Sequence, residues 1–131
     1  MRVFIGGAHN GKRACVKNLV ERENFTRQWF DGVLPSPGTE AIVIAGIEKW
    51  LEKTALSEGN AIEHILESVA GRDVIFILTE IGRGIVPADA DQRKLRDACG
   101  RLNQRLFIEA DEVTRIWYGI TQIIKRRGEK T

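Results

Sequence analysis

The chain has 131 residues, 43% hydrophobic and 29% charged, with a formal net charge of +2. That length predicts one domain with a real core and little room for a second module, and a balance so near neutrality gives no case for a nucleic-acid binder. No apolar run approaches the roughly 18 residues of a membrane span, and Cys15 and Cys99, the two cysteines, lack metal-ligand spacing, so a cytoplasmic protein with reduced thiols and no signal peptide is expected.

In chain order, Val3-Phe4-Ile5 predicts a short strand over residues 2–5. A helix follows from Lys12 to about Glu23, with Cys15, Val16, Leu19 and Val20 on its apolar side. Between them lies Gly6-Gly7-Ala8-His9-Asn10-Gly11-Lys12-Arg13, a G-x4-G-K string. Glycines let a backbone turn tightly and aim successive N–H groups at a phosphate. Lys12 then reaches the outer phosphates, and the helix adds the positive end of its dipole. The eighth position, where a phosphate loop carries Ser or Thr for Mg²⁺, is Arg13. The competing reading is a plain glycine turn; the placement between strand and helix favours nucleotide binding. His9 falls at a variable loop position and reads as solvated.

From Asn24 to Gly38 the pattern breaks up. One short strand is predicted near Trp29 to Leu34, and Pro35-Ser36-Pro37-Gly38 is turn chemistry. Phe25, Trp29 and Phe30 serve either burial and oligomer contact or base stacking. Ala41 to Ala45 has the two-sided apolar character of a central parallel strand. Such a strand commonly ends in an acid that helps hold Mg²⁺, but Ala45 and Gly46 stand there. Glu48 nearby reads as a first-turn helix acid or as a substitute ligand. Ile47 to Ala55 is a predicted helix anchored by Trp50 and Leu51. Ile62, Ile65, Leu66 and Val69 mark an amphipathic one with His64 on its outer side.

Asp73 to Thr79 is the clearest buried strand. It runs into the glycine-punctuated loop Glu80 to Pro87, at a strand's carboxyl end where open α/β sheets place ligands. A helix follows from Asp89 or Asp91, with Leu95, Ala98, Cys99, Leu102 and Leu106 on one stripe. Arg93, Lys94, Arg96, Arg101 and Arg105 lie largely off it, as a solvated face or a contact for phosphates or a partner subunit. Glu112 to Trp117 and Thr121 to Lys125 predict an antiparallel edge hairpin joined through Tyr118-Gly119-Ile120. The basic tail from Lys125 to Lys130 reads as a solvated terminus.

The stretch EIGRGIVPADADQRKLRDACGRLNQR, Glu80 to Arg105, closely resembles the loop and helix of the adenosylcobinamide kinase / adenosylcobinamide-phosphate guanylyltransferase family, E-V-G-x-G-I-V-P followed by R-x-x-R-D-x-x-G-x-x-N-Q. RVFIGGAHNGK resembles that family's opening strand and phosphate loop, AIVIAGIEKWL its second nucleotide-contacting strand, and the closing hairpin has its counterpart. The resemblance covers all but the 24–40 region and the 52–72 linker. It implies a P-loop NTPase-like three-layer α/β fold with a mainly parallel sheet and an antiparallel C-terminal edge hairpin. It also implies a homotrimer, GTP or ATP at the loop, and a corrinoid nearby. The family phosphorylates the aminopropanol hydroxyl of adenosylcobinamide, then transfers GMP from GTP to that phosphate through a guanylylated histidine.

Carried over residue by residue, Gly6, Gly7, Gly11 and Lys12 match the phosphate-binding positions. Glu80, Gly82, Gly84 and Pro87 match the loop beyond the central strand, and Arg93, Arg96, Asp97, Asn103 and Gln104 match the helix. Lys12 and Glu80 are the expected catalytic residues; the expected nucleotide site is Gly6, Gly7, Ala8, His9, Asn10, Gly11, Lys12 and Arg13. The hydroxyl and the acid are missing at Arg13 and Ala45, so no protein metal ligand is expected. Mg²⁺ is then held weakly, through substrate phosphates, and Arg13 offers part of the missing positive charge. The guanylylation histidine is also missing: its interval has shrunk to about Asn24 to Glu40, which holds no histidine, and neither His9 nor His64 aligns with it. Two readings follow: a reduced enzyme keeping the kinase half, or a catalytically silent relative that binds nucleotide or corrinoid or pairs with an intact enzyme.

Overall fold

The structure, a computed structural model, describes residues 1–7, 11–80 and 89–127. Its elements in order are β1 (Arg2–Gly6), α1 (Lys12–Glu21), β2 (Gln28–Asp31), β3 (Ile42–Ala45), α2 (Ile47–Lys53), α3 (Glu58–Val69), β4 (Val74–Thr79), α4 (Ala90–Glu109), β5 (Glu112–Trp117) and β6 (Ile120–Arg126). The strands form one sheet in the order β2-β3-β4-β1-β5-β6. All neighbours pair in parallel except the β5–β6 hairpin. This is the P-loop NTPase-like α/β architecture with an antiparallel edge. The chain leaves β1 for the far edge, returns to β4 on one side of β1, then crosses to β5 on the other. The crevice where such a sheet takes ligands therefore opens at the carboxyl end of β1.

Apolar side chains alternate between two cores. Val3, Ile5, Ile44, Phe76 and Leu78 pack under α2, α3 and α4, through Ile47, Ile62, Ile65, Leu102 and Leu106 among others. Phe4, Val43, Ile75, Ile77 and Ile116 pack on the opposite face with Val16 of α1, flanked by Cys15, Leu19 and Val20. Helices on both faces explain why the central strands read as unbroken apolar runs. Phe76, Ile75 and Val43 are fully shielded, and burial of each such side chain stabilises by about 1.5–3 kcal/mol.

The segment after α1 departs from expectation. Its strand is Gln28–Asp31, shorter and earlier than residues 29–34, because Gly32 at φ 73 turns the chain away. Phe30 packs against the core, whereas Phe25 and Trp29 stay 46% and 40% exposed, so the aromatics are only partly core. Sequence reasoning passed over Arg27. Its guanidinium, wholly buried, bonds to Glu23 at 2.7 and 3.0 Å, to the carbonyls of Ile42 and Asp73 at 3.3 and 3.2 Å, and to the Asp73 carboxylate at 2.9 Å. It also lies over the Phe25 ring. Arg27 thereby ties together the amino ends of β2, β3 and β4.

Smaller differences have local causes. α2 stops at Lys53 rather than Ala55, because Thr54 turns extended. α4 is capped by Asp89, whose side chain accepts from the Gln92 amide at 3.0 Å. On its basic face Arg101 is clamped by Glu58, and Arg105 is paired with Glu63 at 3.1 Å and Glu109 at 3.4 Å. These two arginines lace α4 to α3 rather than waiting for a phosphate. His64 is exposed and stacks on Trp50, 5.9 Å between ring centres. The hairpin turn is Tyr118-Gly119, both at positive φ as a tight two-residue turn requires, so Ile120 belongs to β6. Among the described residues, no helix is long and apolar enough to cross a membrane.

Candidate functional site

The floor of the crevice is built on two glycines. A Cβ on Gly6 would strike the carbonyl oxygen of Ile116 on β5 and press on Cδ of Lys12 at 3.3 Å, so only glycine allows both the strand spacing and the lysine's seat. Gly11 lies in the left-handed region at φ 76 and starts α1 without any side-chain cap. With no side-chain cap at Gly11, the first-turn amides of that helix are a natural seat for an anion. Ala8, His9 and Asn10, expected in the nucleotide site, lie outside the described residues.

Lys12 is only 8% exposed. Its ammonium folds back on the loop and donates to the Gly7 carbonyl at 2.6 Å. Burial pushes its pKa below the ordinary lysine value; Arg13 adds to that, while Glu48 and Glu80 pull the other way. Among the described residues the one hydrogen bond of this partly desolvated ammonium is to a neutral carbonyl, and a phosphate would supply a charged partner.

Arg13 is directed not at the Gly7 carbonyl that Lys12 uses but toward the end of β2. Its Nη1 donates to Oδ2 of Asp31 at 3.0 Å, and Lys49 of α2 stands 3.5 Å from the other oxygen. Asp31 ends β2, in register with Ala45 on β3. Its carboxylate leans over the end of β3: a Cβ on Gly46 would collide with Oδ1 of Asp31, and Gly46, at φ 65, is the residue that opens α2. The hydrogen bond from Arg13 holds the Asp31 carboxyl below the usual carboxylate range, with the charges of Arg13 and Lys49 reinforcing it. Sequence reasoning missed Asp31. The available signal was an acid followed by Gly32 at the end of a short strand, one strand away from where the acid was sought.

At the end of β4, next to β1, the Glu80 amide donates to the Gly6 carbonyl at 3.0 Å. Its carboxylate pairs with Arg115 of β5 at 3.4 Å, and the Arg115 guanidinium lies 4.4 Å from the centre of the Trp117 ring. Arg115 was also passed over in the sequence. Glu48 sits in the first turn of α2, as the dipole favours. The structure therefore brings Gly6, Gly7, Gly11, Lys12, Arg13 and Glu80 to one end of the sheet and adds Asp31, Lys49 and Arg115. Gly82, Gly84 and Pro87 lie outside the described residues.

A sequence profile of the cobinamide kinase / cobinamide phosphate guanyltransferase family matches residues 9–124. The chain belongs to that family. Curated relatives are the bifunctional adenosylcobalamin biosynthesis proteins CobU of Salmonella typhimurium, 46% identical over 52 residues, and of Escherichia coli, 42% identical over the same length. In each case the match takes in 40% of this chain and 29% of the relative, so the matched stretch spans a little under a third of each relative's length.

A P-loop fold of this kind implies Mg²⁺ beside the phosphates, held by a hydroxyl at the start of α1 and an acid at the end of the neighbouring strand. The residues here do not fit it. The first position is a guanidinium, the second a methyl group, and the carboxylate that stands over β3 has a cation on each oxygen. Among the described residues, no cluster of three or more His, Cys, Asp or Glu side chains is arranged around a metal-sized space.

Proposed function

We propose that the chain binds GTP or ATP at the turn closing β1 and transfers its γ-phosphoryl group to the aminopropanol hydroxyl of adenosylcobinamide, without the guanylyl step. Family membership supports the reaction class, and the observation that carries the site is Lys12, buried beside Gly6 and hydrogen-bonded to the Gly7 carbonyl. In this reading the ammonium leaves the Gly7 carbonyl for the outer phosphates, and the uncapped amides of α1 take the inner ones. The bond from the γ-phosphorus to its bridging oxygen breaks and a new one forms to the hydroxyl. Glu80, whose carboxylate Arg115 holds beside the crevice, takes the hydroxyl proton. Positioning and charge neutralisation supply most of such a rate.

The guanylyl half needs a nucleophilic histidine, and neither His9 nor His64 matches the family's position. A homotrimer belongs to the same proposal; sedimentation equilibrium measures it. A second reading, binding without turnover, is favoured by one observation, the loss of both metal-ligand positions at Arg13 and Ala45. Incubation with γ-labelled GTP or ATP and adenosylcobinamide separates the two. Phosphorylated corrinoid supports the kinase, saturable nucleotide binding without product supports the silent relative, and no binding refutes both.

A further inference from the structure

The poor fit to a metal ion has a physical counterpart in the Arg13–Asp31–Lys49 cluster. We infer that the guanidinium of Arg13, clamped by Asp31 and flanked by Lys49, stands in for the divalent cation, so that a nucleoside triphosphate is bound at this turn without metal. The inference rests on the nucleotide-binding reading above and specifies the counter-charge that reading needs. A hydroxyl, a metal and an acid in line have become a guanidinium and an acid in direct contact, 3.0 Å apart. The acid reaches this place from β2 instead of β3, at the same register as Ala45, and Gly46 makes the space for it.

Charge and geometry both suit the exchange. Mg²⁺ brings two positive charges; Arg13 and Lys49 bring two as well, on side chains facing the two oxygens of one carboxylate. A guanidinium presents five N–H donors in a planar fork, of which the bond to Asp31 uses one. The remaining fork matches phosphate oxygens two at a time. Because Asp31 already orders that fork, less rotamer freedom is lost when an anion arrives. Asp31 is therefore a positioning residue for Arg13, not a metal ligand. It would become accessible to a metal only if the guanidinium were removed.

The test is a titration of the full chain with a fluorescent GTP or ATP analogue, in millimolar MgCl₂ and again in EDTA. The expected Kd changes by less than about threefold between the two buffers. For Arg13→Ser, affinity in EDTA falls at least about tenfold, the usual scale for losing charge-assisted hydrogen bonds. Mg²⁺ then recovers part of it, since a hydroxyl and a released Asp31 can share the ion. In Arg13→Ser combined with Asp31→Asn that recovery disappears. Circular dichroism confirms that each variant is folded, and Arg13→Lys, which keeps charge without the fork, is expected between wild type and serine. Wild-type binding that collapses in EDTA overturns the inference and leaves nucleotide binding standing. Arg13→Ser binding in EDTA as tightly as wild type also overturns it. No saturable binding in either buffer overturns both.

Discussion

Replacing Arg27 by Met tests how the sheet is held at the end away from the crevice. The Arg27 side chain is fully buried, and Glu23 beside it is 16% exposed. Removal leaves Glu23 with Arg2 at 3.3 Å as its remaining cation among the described residues, and takes from the Ile42 and Asp73 carbonyls the guanidinium donor they share. Breaking a buried pair from one side costs about 3–5 kcal/mol, a large part of the roughly 5–15 kcal/mol available to a typical fold. At roughly 3–5 °C per kcal/mol for a chain of this size, the expected fall in Tm is about 10–25 °C. The pH dependence has a definite sign. The hydrogen bond from Arg27 lowers the pKa of Glu23 below its ordinary value. A carboxylate depressed in the folded state contributes stability above its unfolded pKa, and that contribution is lost as pH falls through the folded one. Urea unfolding followed by circular dichroism between pH 3 and 7 should therefore show a shallower acid slope in the variant. A loss under about 1 kcal/mol at pH 7, small beside that estimate, or an unchanged slope, refutes the assignment of Arg27 as the tie between these strands.

Gly6→Ala should lose about 1–3 kcal/mol by overpacking against the Ile116 carbonyl and weaken nucleotide binding by unseating Lys12; urea unfolding and the fluorescent titration read the two effects, and an unchanged Kd counts against the shared seat. Lys12→Met should weaken nucleotide binding at least about tenfold while leaving stability equal or higher, since burial already works against the ammonium; a marked fall in Tm would show the lysine to be a structural group. Burial pushes the Cys99 thiol up to about 11 and leaves it 5% exposed, whereas Cys15 is partly exposed. A disulfide reagent at pH 8 should therefore modify one thiol quickly in the folded protein and two after unfolding. Incubation with α-labelled GTP should leave no acid-labile GMP on the denatured chain; retained label would restore the guanylyl step.

Much of the architecture was legible because the central strands are apolar on both faces and glycines punctuate their ends. Val74 to Thr79 and Ile42 to Ala45 could be placed by length and β-branching alone, and the α4 stripe from Leu95 to Leu106 by its period. What escaped depends on pairing across the sheet, which no linear pattern carries. Asp31 matters because β2 lies beside β3 and Gly46 lacks a side chain. Arg27 matters because three strand ends converge on it. Arg115 looks like an ordinary alternating strand residue until β5 is placed next to β1, which brings it to Glu80. The glycines that follow β1 were visible, but the direction of Arg13 was not.

The connection from β2 to β3 bears on the proposed absence of a guanylyl step. Two adjacent parallel strands are usually joined through a helix, over a dozen or more residues. Here the chain leaves Asp31 and re-enters the sheet at Ile42, through a run interrupted by Pro35 and Pro37 that cannot form a regular helix. In place of helix packing, one side chain holds the crossing: Arg72 donates to the carbonyls of Ser36 at 2.9 Å and Glu40 at 3.0 Å and pairs with the Glu40 carboxylate at 3.4 Å. A segment pinned this way has no length in which to carry a helix, and so no helical histidine. The same shortness delivers Asp31 to the crevice, since a strand ending at residue 31 and turning at Gly32 leaves its last carboxylate over Gly46. In the kinase-only reading proposed above, loss of the guanylyl element and gain of an acid for Arg13 trace to one short crossover, which is why the metal-free titration and the GMP-labelling experiment bear on the same stretch of chain.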